Sequence, residues 1–168
     1  SRKERYTMKI ARKTISMIVM FAIVASISVC AFAATPPDYV VSDFRNFNYI
    51  EQGHTSTYVR ILQRFLLYYN WTTGNYIRSN GGVDGSFGTG TYYATYEFQK
   101  TVFSSATQWD GKVGANTWEK ICKAMDFSDL STEGVVYKFW IGSNLILQRV
   151  SNIWSVVGGD GQTYSIYT

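Results

Sequence analysis

Three segments in the middle of the chain place apolar side chains at helical spacing. The first starts at Thr57, the second follows Gly88 and the third follows Gly114. Residues three and four positions apart share one face of a helix, so the pattern predicts three amphipathic helices, with Ser56 or Thr57 capping the first. The residues expected to be buried are Val59, Ile61, Leu62, Phe65, Leu66 and Tyr69 in the first helix, Thr91, Ala94, Thr95, Phe98 and Val102 in the second, and Trp118, Ile121, Cys122 and Met125 in the third.

Two other segments lack this periodicity. Residues 34–48 include Pro36 and Pro37 and show neither helical nor alternating spacing, which predicts an extended linker whose Phe44 and Phe47 pack onto the helices. Residues 70–83 are rich in glycine and asparagine, which is typical of a loop.

The end of the chain has a different pattern. Short stretches of β-branched and aromatic residues, which favour strands, occupy residues 135–141, 145–150, 152–157 and 162–167. One glycine-containing turn lies between the two strands of the first pair, and another lies between the two strands of the second pair. Each pair is therefore predicted to form a hairpin. Together they predict an antiparallel meander of about four strands.

The predicted fold class is therefore α+β, with a small three-helix module followed by a short antiparallel β-meander. Four parts are expected along the chain: upstream residues and a signal peptide in residues 1–33, the linker in residues 34–48, the helical domain in residues 49–125, and a C-terminal β-hairpin appendage in residues 126–168. After residue 33 Cys122 is the only cysteine, so no intramolecular disulfide is possible.

The N-terminal segment has the pattern of a secretory signal peptide, with Met8 expected to be the initiator. Basic residues precede an apolar run over residues 15–32, and Ala31 and Ala33 supply the small side chains that a signal peptidase needs. We expect cleavage and an exported protein that is secreted, extracellular or cell-wall associated and meets the membrane only through the uncleaved signal segment. The alternatives are a transmembrane anchor and a lipoprotein modified at Cys30.

Removal of that segment changes the charge balance. Residues 1–33 contain six of the 16 lysines and arginines and one of the 12 acidic residues, so ten basic residues remain against eleven acidic ones. The pI near 9.0 therefore describes the precursor. No nucleic-acid partner is expected, because the remaining chain has no basic excess.

One motif occurs twice, as Asp-Gly-x-hydrophobic-Gly-x-x-Thr over residues 84–91 and again over residues 110–117. We expect each Asp to bond to turn amides and the glycines to adopt conformations that a side chain would penalise. Both copies are therefore interpreted as scaffold. Valine at Gly88 or Gly114 is expected to destabilise the module if either glycine has a positive φ.

The motif and its flanking residues resemble the peptidoglycan-binding domain that is appended to bacterial cell-wall hydrolases. The resemblance covers roughly Tyr49 to Met125 and implies peptidoglycan as the ligand. The chain departs from the family pattern at Ser56, Thr95 and Tyr93. The flanking residues that carry the resemblance are Val59, Leu62, Gln63, Phe98, Gln99, Thr117, Trp118 and Ile121.

Catalytic equipment is sparse in the sequence. The single histidine, His54, cannot assemble a zinc site, and the spacing of Cys122 puts its thiol in the core, away from a base. Glu97 and Glu119 are expected on outer helix faces. The sequence therefore predicts a non-enzymatic protein that needs neither a metal nor another cofactor.

Aromatic and amide side chains suit a wall polymer, because sugar rings stack on aromatic faces and amides bond to hydroxyl and peptide groups. The candidate ligand-binding residues are Trp71, Tyr76, Asn80, Tyr92 and Tyr93. Two alternative functions remain open at this stage: a fragment of a cell-wall hydrolase without its catalytic domain, and a protein-interaction module of a spore or envelope assembly.

Overall fold

The computed structural model describes residues 34–130 and 136–167, in which five α-helices precede five strands. The helices are α1 (Asp38–Arg45), α2 (Thr57–Tyr69), α3 (Trp71–Arg78), α4 (Thr89–Val102) and α5 (Ala115–Lys123), with a 3₁₀ turn at Ala106–Gln108 between the last two. The α+β class is confirmed. Among the described helices none is both long and apolar enough to cross a membrane, and the predicted signal peptide lies outside the described residues.

The strands form one antiparallel sheet in which neighbours in sequence are neighbours in space. They are β1 (Asp126–Asp129), β2 (Val136–Ile141), β3 (Asn144–Val150), β4 (Ile153–Val157) and β5 (Thr163–Tyr167), in the order β1-β2-β3-β4-β5. Strands β2 to β5 are the predicted meander. The sequence missed β1, whose four residues are too few to show clear alternation.

The segment predicted as an extended linker is helical, so that prediction was wrong. Pro37 occupies the N-cap position of α1, and Val40, Val41 and Phe44 are buried on one face. Phe44 and Phe47 are buried as predicted, and the Phe47 ring meets that of Tyr58 on α2 at 5.3 Å. A helix of eight residues is stabilised mainly by such tertiary contacts, which explains why local spacing did not reveal it.

The segment predicted as a loop after α2 also contains a helix. Asn70 ends α2 and caps α3, since its Oδ1 accepts from the Thr73 backbone N–H at 2.9 Å. The Thr73 hydroxyl donates to the Leu66 carbonyl at 2.7 Å, and Thr73 and Ile77 are buried. The Asn70 N–H also donates to the Thr73 hydroxyl oxygen at 3.4 Å, which completes a capping box and favours a helix here despite Gly74.

The other predicted helices are confirmed, as are their buried faces. The Ser56 hydroxyl caps α2 by accepting from the Val59 N–H at 3.3 Å. The predicted core residues of α2, α4 and α5 are buried, with Tyr69 and Val102 partly so. Met125 is buried just beyond the end of α5.

One hydrophobic core joins the helices to the sheet. Phe47 contacts the ring of Trp118 on α5 at 5.3 Å and the ring of Trp154 on β4 at 5.5 Å. Phe44 contacts Phe139 on β2 at 5.1 Å. The described residues therefore belong to one compact unit, and the sheet closes the core under α1 and α2.

A buried glutamine holds the first repeated turn in place. The Gln63 Nε2 donates to Asp84 Oδ1 at 2.8 Å, to the Ser86 carbonyl at 3.0 Å and to Thr91 Oγ1 at 3.1 Å. The Gly85 N–H in turn donates to Gln63 Oε1 at 2.8 Å. One side chain on α2 thus bonds both ends of the motif.

A second glutamine on α4 makes the same set of bonds to the second turn. The Gln99 Nε2 donates to Asp110 Oδ1 at 3.0 Å, to the Lys112 carbonyl at 2.7 Å and to Thr117 Oγ1 at 3.3 Å. The Gly111 N–H donates to Gln99 Oε1 at 2.8 Å. The sequence repeat is therefore also a repeat of hydrogen bonds.

The aspartates have the turn role that was predicted for them. Asp84 Oδ1 accepts from the Ser86 N–H at 2.8 Å, and Asp110 Oδ1 accepts from the Lys112 N–H at 2.9 Å. A carboxylate that closes a turn two residues on fixes the backbone locally. This supports the interpretation of both motifs as scaffold.

The glycines that need positive φ are the second residues of each motif rather than the fifth. Gly85 has φ +83° and Gly111 has φ +69°, and a Cβ there would overlap the Arg60 guanidinium or the Tyr92 ring respectively. Gly88 (φ −89°) and Gly114 (φ −107°) are extended N-cap residues. The condition attached to the valine prediction at these two positions is therefore not met.

Serine substitutions at these four glycines allow the positive-φ pair to be compared with the extended pair. We expect Gly85→Ser and Gly111→Ser each to destabilise the protein by about 1–3 kcal/mol, because positive φ is strained for serine. Gly88→Ser and Gly114→Ser should change stability by less than about 0.5 kcal/mol, since serine is a good N-cap residue. Urea unfolding measures all four, and equal losses in the two pairs would contradict the assignment.

Candidate functional site

The predicted tyrosines lie together on the surface formed by α3 and α4. The Tyr76 and Tyr93 rings stack at 5.7 Å, and Tyr93 meets Tyr92 edge-on at 5.3 Å. Tyr92 also stacks on Tyr96 at 6.5 Å, which extends the row of rings along α4. We call Tyr76, Tyr92, Tyr93 and Tyr96 the aromatic surface. Trp71 is five positions before Tyr76 on α3, which is about 140° around the helix axis, so it faces another direction.

Trp71 is the most accessible of the predicted aromatic residues. Its side chain is 78% exposed at the first position of α3. The Arg78 guanidinium lies 5.3 Å from the centre of its ring, within cation–π range. An exposed indole that is held by a guanidinium can stack on a sugar ring.

Two of the predicted binding residues also support the fold. The Asn80 Nδ2 donates to the Tyr76 carbonyl at 2.8 Å, and its side chain lies directly against Gly90, where a Cβ would overlap it. The Tyr92 ring lies against Gly111 of the second turn. Changes at Asn80 or Tyr92 are therefore expected to alter packing as well as any binding.

A groove of about 300 Å³ lies beside the second turn and was not predicted from the sequence. Its rim combines one exposed aromatic ring with amide and charged side chains, and the start of α5 forms part of its wall. We call it the Tyr49 groove. Its polar and aromatic lining includes Tyr49, Phe103, Gln108, Asp110, Lys112 and Asn116.

Tyr49 is held at the rim of the groove by a charged pair. Its hydroxyl donates to Glu51 Oε2 at 2.8 Å, and the same carboxylate lies 3.0 Å from the Lys112 ammonium. The hydrogen bond from Tyr49, and after it the bond from Lys112, lowers the pKa of Glu51. The bond to Glu51 raises the pKa of Lys112. Both groups are therefore charged at neutral pH.

The side chains considered for catalysis are either buried or engaged in ion pairs. Burial raises the pKa of the Cys122 thiol to about 12, so it stays protonated at neutral pH and cannot act as a nucleophile. Glu119 pairs with Lys123 at 2.6 Å and with Arg45, and Glu97 pairs with Lys100 at 3.1 Å. Within residues 34–130 and 136–167, no cluster of three or more His, Cys, Asp or Glu could bind a metal.

Comparison with known proteins gives no family assignment. No protein-family model, no curated protein and no solved structure matches the chain. A functional conclusion therefore depends on the motif, the aromatic surface and the Tyr49 groove.

Proposed function

We propose that this chain is a non-catalytic, peptidoglycan-binding module of an exported protein. The observation that carries the proposal is the repeated turn, in which Gln63 and Gln99 make the same hydrogen bonds to two copies of one motif. This motif is the one on which the sequence resembles the peptidoglycan-binding domain. The buried glutamines explain why the resemblance includes a Gln on the helix before each turn.

The aromatic surface and Trp71 are the proposed contacts with the wall polymer. Trp71 and Tyr93 are the most exposed of these rings, at 78% and 47%, and both lie on helices whose buried sides are packed in the core. Rigid aromatic side chains lose little conformational entropy on binding, and their faces suit the C–H faces of sugars.

Co-sedimentation with purified sacculi tests the proposal. We expect the chain from Ala34 to Thr168 to pellet with sacculi and to release neither soluble muropeptides nor reducing ends. Trp71→Ala and Tyr93→Ala should each weaken binding by about 1–2 kcal/mol, which is typical of a lost aromatic anchor.

Tyr167→Ala is the matched control, because Tyr167 is a 74% exposed aromatic on β5, remote in sequence from the aromatic surface. Its binding should equal that of the parent. Loss of binding in Tyr167→Ala alone would move recognition to the sheet, and no binding by the parent would contradict the proposed ligand. Turnover of sacculi by the purified chain would contradict the non-catalytic assignment.

A further inference from the structure

The two repeated turns have equivalent hydrogen bonds but different surroundings. Gly90 and Asn116 occupy the same position in the two copies of the motif, directly before the final threonine. Gly90 is buried beneath Asn80, which follows α3, whereas Asn116 is exposed and lines the Tyr49 groove. The space beside the first turn is thus filled by the chain, and the space beside the second is open.

The open space is chemically mixed. In the lining, Lys112 supplies a cation, Asp110 a carboxylate, and Gln108 and Asn116 amides that can both donate and accept. Glu51 is outside the lining and pairs with Lys112. Asp110 is fixed in place by its bonds to the turn. A groove with both signs of charge and several amides matches a peptide better than a neutral sugar chain.

The size of the groove favours the same class of ligand. Its volume of about 300 Å³ is at the lower end of the roughly 300–1,000 Å³ typical of small-molecule sites. That space suits a few amino-acid residues. A glycan strand would need several exposed rings in a row, and Tyr49 is the single exposed ring among the described lining residues.

We propose that the Tyr49 groove binds the stem peptide of peptidoglycan through a carboxylate of that peptide placed at Lys112. This inference rests on the proposed function and divides its ligand: the aromatic surface contacts glycan, and the groove contacts peptide. Lys112 and Glu51 form a half-exposed ion pair, and such pairs contribute little to stability. A ligand carboxylate can therefore replace Glu51 at Lys112, while Gln108 and Asn116 bond to peptide groups.

Binding of defined fragments tests the inference. The probes are a synthetic stem peptide (L-alanine, γ-linked D-glutamate, a diamino acid and two D-alanines) and chitotetraose, titrated into the chain from Ala34 to Thr168 and followed by amide NMR shifts. We expect the stem peptide to shift the amides of Lys112 and Asn116. Chitotetraose should leave those amides unchanged and shift Tyr93.

Two variants address the groove directly. Lys112→Gln should weaken stem-peptide binding about tenfold, as expected when one charge-assisted bond is lost. Asn116→Tyr should abolish it, because the larger ring fills the open space. Lys123→Gln is the matched control, since Lys123 is an exposed lysine that pairs with Glu119 at the end of α5 and is not part of the groove lining, and it should bind like the parent.

The outcomes separate the two proposals. If the parent binds sacculi but the stem peptide shifts no groove amide, or if Lys112→Gln and Asn116→Tyr bind it like the parent, the inference is overturned and the proposed function stands. If the parent binds neither sacculi nor either fragment, the proposed function fails and the inference fails with it. Equal weakening by Lys112→Gln and Lys123→Gln would indicate a general charge effect and would also overturn the inference.

Discussion

Replacing Gln63 or Gln99 by leucine is expected to destabilise the protein by about 3 kcal/mol or more. Leucine removes the bonds from Nε2 to three acceptors and leaves the buried N–H of Gly85 or Gly111 without its acceptor. Each unsatisfied buried polar group costs about 1–3 kcal/mol, and each variant removes a bond from two buried groups, the glycine N–H and the Thr91 or Thr117 hydroxyl. Urea unfolding followed by tryptophan fluorescence measures the loss.

The two substitutions should have similar effects, because both glutamines are about 1% exposed and make equivalent bonds. Gln52→Leu is the control, since the Gln52 amide bonds to Thr89 at 3.2 Å on the exposed surface. It should change stability by less than about 0.5 kcal/mol. If Gln63→Leu and Gln99→Leu were as stable as Gln52→Leu, the glutamines would not be what holds the turns.

Long apolar stripes made the larger helices predictable. In α2 and α4 the buried positions recur over about two turns or more, and in α5 the stripe continues to Met125 just beyond the helix. A cap or extended glycine precedes each stripe. In α1 three buried residues span little more than one turn. In α3 the glycine at position 74 and the nearby asparagines are typical of a loop and hid the helix. Their stability comes from contacts with distant residues and from reciprocal caps, which local periodicity does not display.

The candidate site was predictable to the extent that it is local. Tyr92 and Tyr93 are adjacent on α4, and Tyr76 lies on the neighbouring helix α3. The packing of α3 against α4 is therefore enough to bring the three rings together. The Tyr49 groove is assembled from the segment before α2, the end of α4, the second turn and the start of α5. No spacing rule joins positions that distant, so only the folded chain reveals it.

Trp118→Ala should destabilise the protein by about 3–5 kcal/mol, the usual range for removing a buried aromatic ring. Trp118 is fully buried, meets Phe47 edge-on and donates its indole N–H to the Asn48 carbonyl at 3.0 Å. It thereby anchors α5 to the chain that precedes Tyr49. Thermal and urea unfolding should both show the loss.

Trp71→Ala removes the same side chain from a position that is 78% exposed, so stability should change by less than about 0.5 kcal/mol. The pair separates fold from function: Trp118→Ala should lose sacculus binding only to the extent that it is unfolded, whereas Trp71→Ala should weaken binding by about 1–2 kcal/mol while fully folded. Folded Trp118→Ala that binds poorly, together with Trp71→Ala that binds normally, would place recognition near α5 and the Tyr49 groove instead of near Trp71. Because both measurements use one type of substitution, a difference between them reflects position in the structure and not the chemistry of the lost ring.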